Sequence, residues 1–162
     1  MQLVDGHTEI EDLEEFLSEI NQISEQTGST IQFFNADYVA GERHLRRAAE
    51  LARRATERGT AIARDPAVEL LVYAAGRRQI NRALEMGVSE RSMAVVAVVE
   101  GGDEQTAVDA VEELLASTDP VEWGSRETLT KFFDISDDEI AVVDGGIEEI
   151  VLERVALLAV ET

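Results

Sequence analysis

The run Met93–Val99 limits the possible folds of this chain more than any other feature, because every residue in it is apolar. A strand with one face in water alternates apolar and polar side chains, whereas an unbroken apolar run is typical of a strand covered on both faces. We therefore predict a central strand here. Such a strand needs neighbours in a sheet and further layers to cover it, so a mixed α/β fold is expected.

The remaining periodicity predicts a single sheet of about four short strands covered by several helices. Thr8 and Glu11 have the spacing of a capping box, and apolar residues recur at helical spacing after it. Gly28, Gly59 and Gly76 are placed as helix ends. The predicted elements are a strand around Leu3, a first helix that begins at the capping box, a strand Thr30–Asn35, a helix from Glu42 to Arg58, a helix opened by Asp65-Pro66 with a second piece reaching Met86, helices Asp103–Leu115 and Ser125–Phe133, and a short helix capped by Ser136 and Glu139.

The segment 147–160 is predicted to form one or two helical turns through Arg154 and then a buried strand, Val155–Val160. It holds more apolar side chains than one short strand needs. Some of them are therefore expected to be exposed until a partner protein covers them. The candidate partner-binding residues are Ile150, Leu152, Val155 and Leu157.

The composition narrows the class of protein. The 162 residues include 14 basic and 34 acidic side chains, for a net charge of −20, and no cysteine. The length predicts one domain over 1–162. With no thiolate, and with His7 and His44 in no metal-binding spacing, we expect no metal and no other cofactor.

No apolar stretch is long enough to span a bilayer, and we expect a cytoplasmic protein. The carboxylate excess predicts a halophilic origin, because molar salt screens the repulsion between surface charges.

The positive charge is concentrated in one segment, Arg43–Arg91, which holds 11 arginines and 6 acidic residues. The rest of the chain is strongly acidic. A basic segment of this kind indicates either a surface that binds an anionic partner or solvated helix faces whose arginines pair with neighbouring glutamates.

Helical geometry groups the arginines of this segment. Arg43, Arg47, Arg54 and Arg58 fall within an arc of about 60° on the second helix, at 100° per residue. Leu45 and three alanines lie on the opposite side, which is predicted to face the sheet. Glu50 and Glu57 lie near the arc, so part of the arginine charge is expected to be used in internal pairs. A second basic cluster, Arg77-Arg78-Gln79, follows the helix break at Gly76, where side chains can reach a phosphate or a base edge.

The chain contains no phosphate-binding loop, dinucleotide-binding glycine motif, nucleophile elbow or kinase signature, so we expect no enzyme activity. His44 fits either a phosphate contact or a structural hydrogen bond. Glu69, which has apolar neighbours, fits either a functional carboxylate or an ion pair with an arginine.

Six short motifs in order resemble the small kinase-associated subunit of the KEOPS complex in its archaeal form. They are Gln32-Phe33-Phe34-Asn35-Ala36, His44-Leu45, Ile62-Ala63-Arg64, Glu69-Leu70-Leu71, Gly76-Arg77-Arg78-Gln79-Ile80 and the closing stretch from Val151 to Leu158. The resemblance covers nearly the whole chain and is loosest from Gly101 to Gly145.

This resemblance implies a non-catalytic subunit of the machinery that makes threonylcarbamoyl-adenosine in tRNA. Such a subunit docks on the atypical kinase/ATPase of the complex, helps to activate it, and in archaea binds the single-stranded CCA end of tRNA. It contacts the other KEOPS subunits only indirectly, and neither DNA nor a membrane is an expected partner. RNA contact is assigned by motif to Asn35, His44, Arg64, Arg78 and Gln79, and by charge and helix geometry to Arg47, Arg54 and Arg77.

Two other hypotheses remain open at this stage. One is a kinase-binding scaffold that does not bind RNA. The other is a small-molecule enzyme with a polar triad of Asn35, His44 and Glu69.

Overall fold

The computed structural model of the protein describes residues 1–161 and divides into two compact units. The first unit comprises Met1–Ala36 and Gly87–Glu122, and the second comprises Asp37–Met86 and the chain from Trp123 onward. A single domain over 1–162 stays a prediction.

The first unit contains an antiparallel sheet of β1 (Gln2–Glu9), β2 (Thr30–Asn35) and β3 (Ser92–Glu100), with β3 in the centre. Ala97 of β3 pairs with a residue of each neighbouring strand. Val95 and Val96, on opposite faces of β3, are both fully buried, which confirms the central strand covered on both faces. The number of strands was predicted wrongly, because the described residues form three strands rather than about four.

Two helices, α1 (Leu13–Thr27) and α5 (Glu104–Leu114), pack against this sheet. The carboxylate of Asp12 caps α1 by accepting the Glu15 N–H. The predicted capping box at Thr8 is therefore wrong. Thr8 instead lies in β1, where it pairs with Met93 and is buried. The apolar residues of one sheet face, α1 and α5 form the core of this unit.

The second unit is built from helices. They are α2 (Glu42–Glu57), α3 (Pro66–Ala75), α4 (Ile80–Ala83), α6 (Arg126–Phe132), α7 (Asp137–Val142) and α8 (Gly146–Glu161). The predicted inner face of α2, with Leu45 and Ala48, is buried, and α3 and α8 pack against α2 within this unit. The capping box of Ser136 and Glu139 is confirmed at the start of α7.

The predicted strand Val155–Val160 is wrong, because α8 continues through this segment. Its buried residues Ile150, Val151, Val155 and Leu158 have the spacing of one helix side. Alanine and leucine at 156–159 are good helix formers. An apolar run by itself fits a buried strand as well as a buried helix.

None of the helices within residues 1–161 combines the length and the apolar composition needed to cross a membrane. The cytoplasmic location stays a prediction.

Candidate functional site

The arginines on the outer face of α2 have carboxylates close by. Arg43 lies 2.9 Å from Glu149 of α8. Arg47 and Arg54 both pair with Glu50, at 2.9 and 2.5 Å. The hydrogen bond from Arg47, followed by the charge of Arg54, lowers the pKa of the Glu50 carboxyl group. Within residues 1–161 the internal pairing expected from the sequence is thus confirmed for Glu50 but not for Glu57, and together with the pair of Arg43 it neutralises much of the charge of this face.

A groove runs between α2 and α8 and is formed by two cavities of about 500 and about 350 Å³. Both cavities are lined by Arg47 of α2 and Ala156 of α8. The groove therefore has a wall rich in arginine and a wall rich in small and apolar residues. From α2 it is lined by Arg43, Arg46, Arg47, Glu50, Leu51, Arg54, Ala55 and Arg58, and from α8 by Glu149, Leu152, Glu153, Ala156, Ala159 and Val160, with Thr60 and Tyr73 at one end.

Helix α8 separates the predicted partner-binding residues into two sets. Ile150 and Val155 are buried, so their position does not favour the predicted partner contacts, which stay predictions. Leu152 is half-buried in the groove, and Leu157 is 51 % exposed. Because this segment was predicted to be a strand, Val160 was not among the candidate partner-binding residues. It lines the groove and is 81 % exposed. The helical spacing of Leu152, Ala156 and Val160 was the signal that could have revealed this wall.

Arg77 is held by contacts inside the second unit. Its guanidinium donates to the carbonyl of Phe132 and lies 4.9 Å from the centre of that ring. Asp134 lies 3.9 Å from the same guanidinium. Gly76 ends α3 with a φ of +63°, and Arg77 turns towards α6 at this bend. The charge of Arg77 is thus largely engaged within the unit, although its buried Nε has no hydrogen-bond partner among the described residues, and its role as an RNA contact stays a prediction.

Three of the other predicted residues are exposed at the two ends of α3. Arg64 precedes the helix, and Arg78 and Gln79 follow it. Within residues 1–161 none of these three side chains has a hydrogen bond or an ion pair. Gln79 stands at the N-cap of α4 but makes no capping bond with its side chain. These side chains are therefore available to an external ligand.

His44 is fully buried. Its Nδ1 accepts the N–H of Ala40 at 3.0 Å, and its Nε2 lies 2.7 Å from the carbonyl oxygen of Ala74. Burial lowers the pKa of His44 to about 4, although the bond to Ala74 opposes the shift. The ring is therefore neutral at pH 7, with its proton on Nε2. His44 thus links α2 to the end of α3, and the RNA contact predicted for it stays a prediction that its burial does not favour.

Asn35 lies at the end of β2 in the first unit and is only 5 % exposed, so its burial does not favour the predicted RNA contact, which stays a prediction. Glu69 differs from both interpretations of the sequence. Its buried carboxylate accepts the backbone N–H groups of Ile62 and Ala63 rather than an arginine. The ring nitrogens of His44 and the carboxylate oxygens of Glu69 are thus bonded to backbone groups, and nothing in this arrangement supports the polar triad.

A comparison with protein-family models gives a match. The model of the family described as kinase binding protein CGI-121 matches residues 7–159, which is nearly the whole chain. No curated protein sequence matches.

Proposed function

This chain belongs to the CGI-121 family of kinase-binding proteins, and we propose that it is a non-catalytic subunit of the KEOPS complex that docks on the kinase/ATPase of the complex, helps to activate it and recruits tRNA. The family match agrees with the sequence resemblance to the KEOPS subunit. An archaeal, halophilic source stays a prediction.

The observation that carries the kinase-docking proposal is the groove between α2 and α8. Its α8 wall includes Val160, and Leu157 near it is also exposed, although burying such side chains would be favourable. The opposite wall carries arginines, and Arg58 among them has no ion pair within the described residues. A groove of this kind fits a partner segment with apolar side chains flanked by carboxylates. We assign this surface to the kinase.

Leu152→Arg tests the assignment, because it places a charge at a half-buried position on the α8 wall of the groove. Co-purification with the KEOPS kinase should be lost, and the melting temperature should stay within a few degrees of the wild-type value. Val160→Arg, at the other end of the same wall, should act in the same way from a more exposed position. Val142→Arg is the matched control, since Val142 is 82 % exposed but does not line the groove.

Retained co-purification of both groove variants would contradict the assignment. Unfolding of both would also contradict it, because the segment would then be core rather than a docking surface.

The tRNA proposal is supported by the exposed side chains of Arg64, Arg78 and Gln79. Most carboxylates of this chain lie outside the segment Arg43–Arg91, which holds these three residues. Neither Arg64 nor Arg78 has an ion pair within the described residues. Arginine suits phosphate and base edges, and the glutamine amide both donates and accepts hydrogen bonds. Single-stranded RNA is recognised through such contacts to unstacked bases together with phosphate neutralisation. The 3′ CCA end is a substrate of this type.

A tRNA titration compares the two sets of arginines. The double variant Arg64→Ala/Arg78→Ala should weaken tRNA binding at least 30-fold in 0.1 M KCl. The slope of log K against log salt should become less steep by about 1.4, at about 0.7 for each phosphate contact on a single strand. The matched double variant Arg47→Ala/Arg54→Ala should weaken binding less than three-fold. Equal losses would show a general effect of charge, and a wild-type protein that does not bind tRNA would favour the scaffold hypothesis.

A further inference from the structure

The loop between α2 and α3 is fixed at three points. At its start, the N–H and the hydroxyl of Thr60 both donate to the carbonyl of Ala55. At its end, the carboxylate of Asp65 accepts the N–H of Ala67 and caps α3. The middle of the loop is held by Glu69, a residue of α3 whose carboxylate accepts backbone N–H groups of the loop. A loop held in this way has lost much of its conformational freedom before any ligand arrives.

The carboxylate of Glu69 is committed to the backbone of this loop. The Ile62 N–H lies 3.0 Å from each of its oxygens, and the Ala63 N–H lies 2.8 Å from one of them. The side chain is fully buried. Burying a carboxylate is unfavourable unless its oxygens are hydrogen-bonded, and charged acceptors make the stronger bonds. Among residues 1–161 the groups that bond to it are these two N–H groups alone.

Ile62 and Ala63 directly precede Arg64, which is exposed and has no internal ion pair in the described chain. We propose that Glu69 is a positioning residue for RNA binding, which holds the backbone at Ile62 and Ala63 so that Arg64 is presented to the RNA in a fixed place. Preorganisation of this kind raises affinity, because less ordering remains to be done when the ligand binds. The inference rests on the proposed tRNA function.

Glutamine at this position is the informative substitution. It keeps the size of the side chain, but only one of its two terminal groups accepts a hydrogen bond, and its NH₂ group would face an N–H donor. Glu69→Gln should therefore release the loop while leaving the packing of α3 unchanged. Faster hydrogen exchange at the amides of Ile62 and Ala63 would report that release directly.

A double-mutant cycle in the full-length protein tests the proposal. Glu69→Gln should weaken tRNA binding at least five-fold, measured well below its melting temperature, and co-purification with the kinase should be unaffected. Arg64→Ala should weaken binding by a similar factor. The double variant should bind no more weakly than Arg64→Ala alone, because Glu69 acts through Arg64. Losses that multiply, or a lower melting temperature with unchanged tRNA affinity, would overturn the proposal.

A second variant covers the case in which Glu69→Gln does not fold. Two glycines inserted after Thr60 would loosen the loop without changing Glu69. This insertion should reproduce the loss of tRNA affinity and should add nothing to Arg64→Ala, whereas unchanged affinity would overturn the inference. If wild-type protein does not bind tRNA, the proposed function itself fails. If wild-type binding depends on Arg64 but not on Glu69, only the present inference fails.

Discussion

The polar side chains inside the second unit and those exposed at the ends of α3 differ in where their hydrogen-bond partners lie. His44 and Glu69 are buried, and each is bonded to backbone groups of the same unit. Arg64, Arg78 and Gln79 are exposed, and the described residues offer them no partner. The difference separates residues that maintain the fold from residues that can bind a ligand, although all of them were singled out by the same family resemblance.

The outer face of α2 is intermediate between these groups. Its arginines are exposed, but Arg47 and Arg54 share the carboxylate of Glu50, and Arg43 lies beside Glu149. Exposed ion pairs contribute little to stability, and they also reduce the net charge that a distant anion experiences. A count of arginines therefore overstates how much positive charge this face offers to RNA.

The largest expected effect concerns the buried ring of His44 and is a dependence of the unfolding free energy on pH. The pKa of His44 is about 4 in the folded protein and about 6.5 in an unfolded chain, so the unfolded state takes up a proton more readily. The stability associated with the neutral ring is present above pH 6.5 and is lost as the pH falls towards 4. The loss should reach about 3 kcal/mol of unfolding free energy.

His44→Gln provides the comparison for this pH profile. Its amide oxygen can accept the N–H of Ala40, and its amide nitrogen can donate to the carbonyl of Ala74, but the group does not titrate in this range. Urea unfolding of both proteins from pH 7 to pH 4 isolates the contribution of the histidine. Parallel profiles would contradict a structural role for the neutral ring.

A smaller effect, on the affinity for tRNA, is expected when the arginines of the outer face of α2 lose their carboxylate partner. Glu50→Gln releases Arg47 and Arg54 from their shared carboxylate. The affinity for tRNA should then rise about three-fold in 0.1 M KCl, and the gain should disappear at 2 M, where the Debye length is only a few ångströms. Glu42→Gln, which releases only Arg46, is the matched control and should give a smaller gain. An unchanged affinity for Glu50→Gln would mean that RNA does not sense this face.

Local sequence signals predicted most of the fold. The strand Thr30–Asn35 and the helix caps at Asp65, Asp103 and Ser136 lie where they were expected. The start of α1 was misplaced because Thr8 and Glu11 have the spacing of a capping box just before the actual cap at Asp12, whereas the pairing of Thr8 with Met93 places Thr8 in β1. The last helix was mistaken for a strand because a short apolar run such as 155–160 fits a buried strand as well as a buried helix.

The candidate site was predicted less well, because burial and pairing depend on distant parts of the chain. His44 lies about 100° from Arg43 on the helical wheel, at the border of the buried side. It faces inwards, where it contacts the carbonyl of Ala74, a residue 30 positions away in the chain. The pairing of Arg43 with Glu148 and Glu149 joins residues more than 100 positions apart. By contrast, the pairs of Glu50 lie within one helical turn, and the sequence predicted them.

The most direct test of the account is a tRNA titration at 2 M KCl, because this salt concentration removes most of the electrostatic contribution. Four phosphate contacts alone would lose about 600-fold in affinity between 0.2 and 2 M salt. Binding that persists should depend on hydrogen bonds and stacking at the terminal bases. Removal of the CCA end, or Gln79→Ala, should weaken this binding at least ten-fold, and Arg58→Ala should change it less than two-fold. Equal losses for all three, or a binding curve indifferent to the 3′ end, would contradict the account.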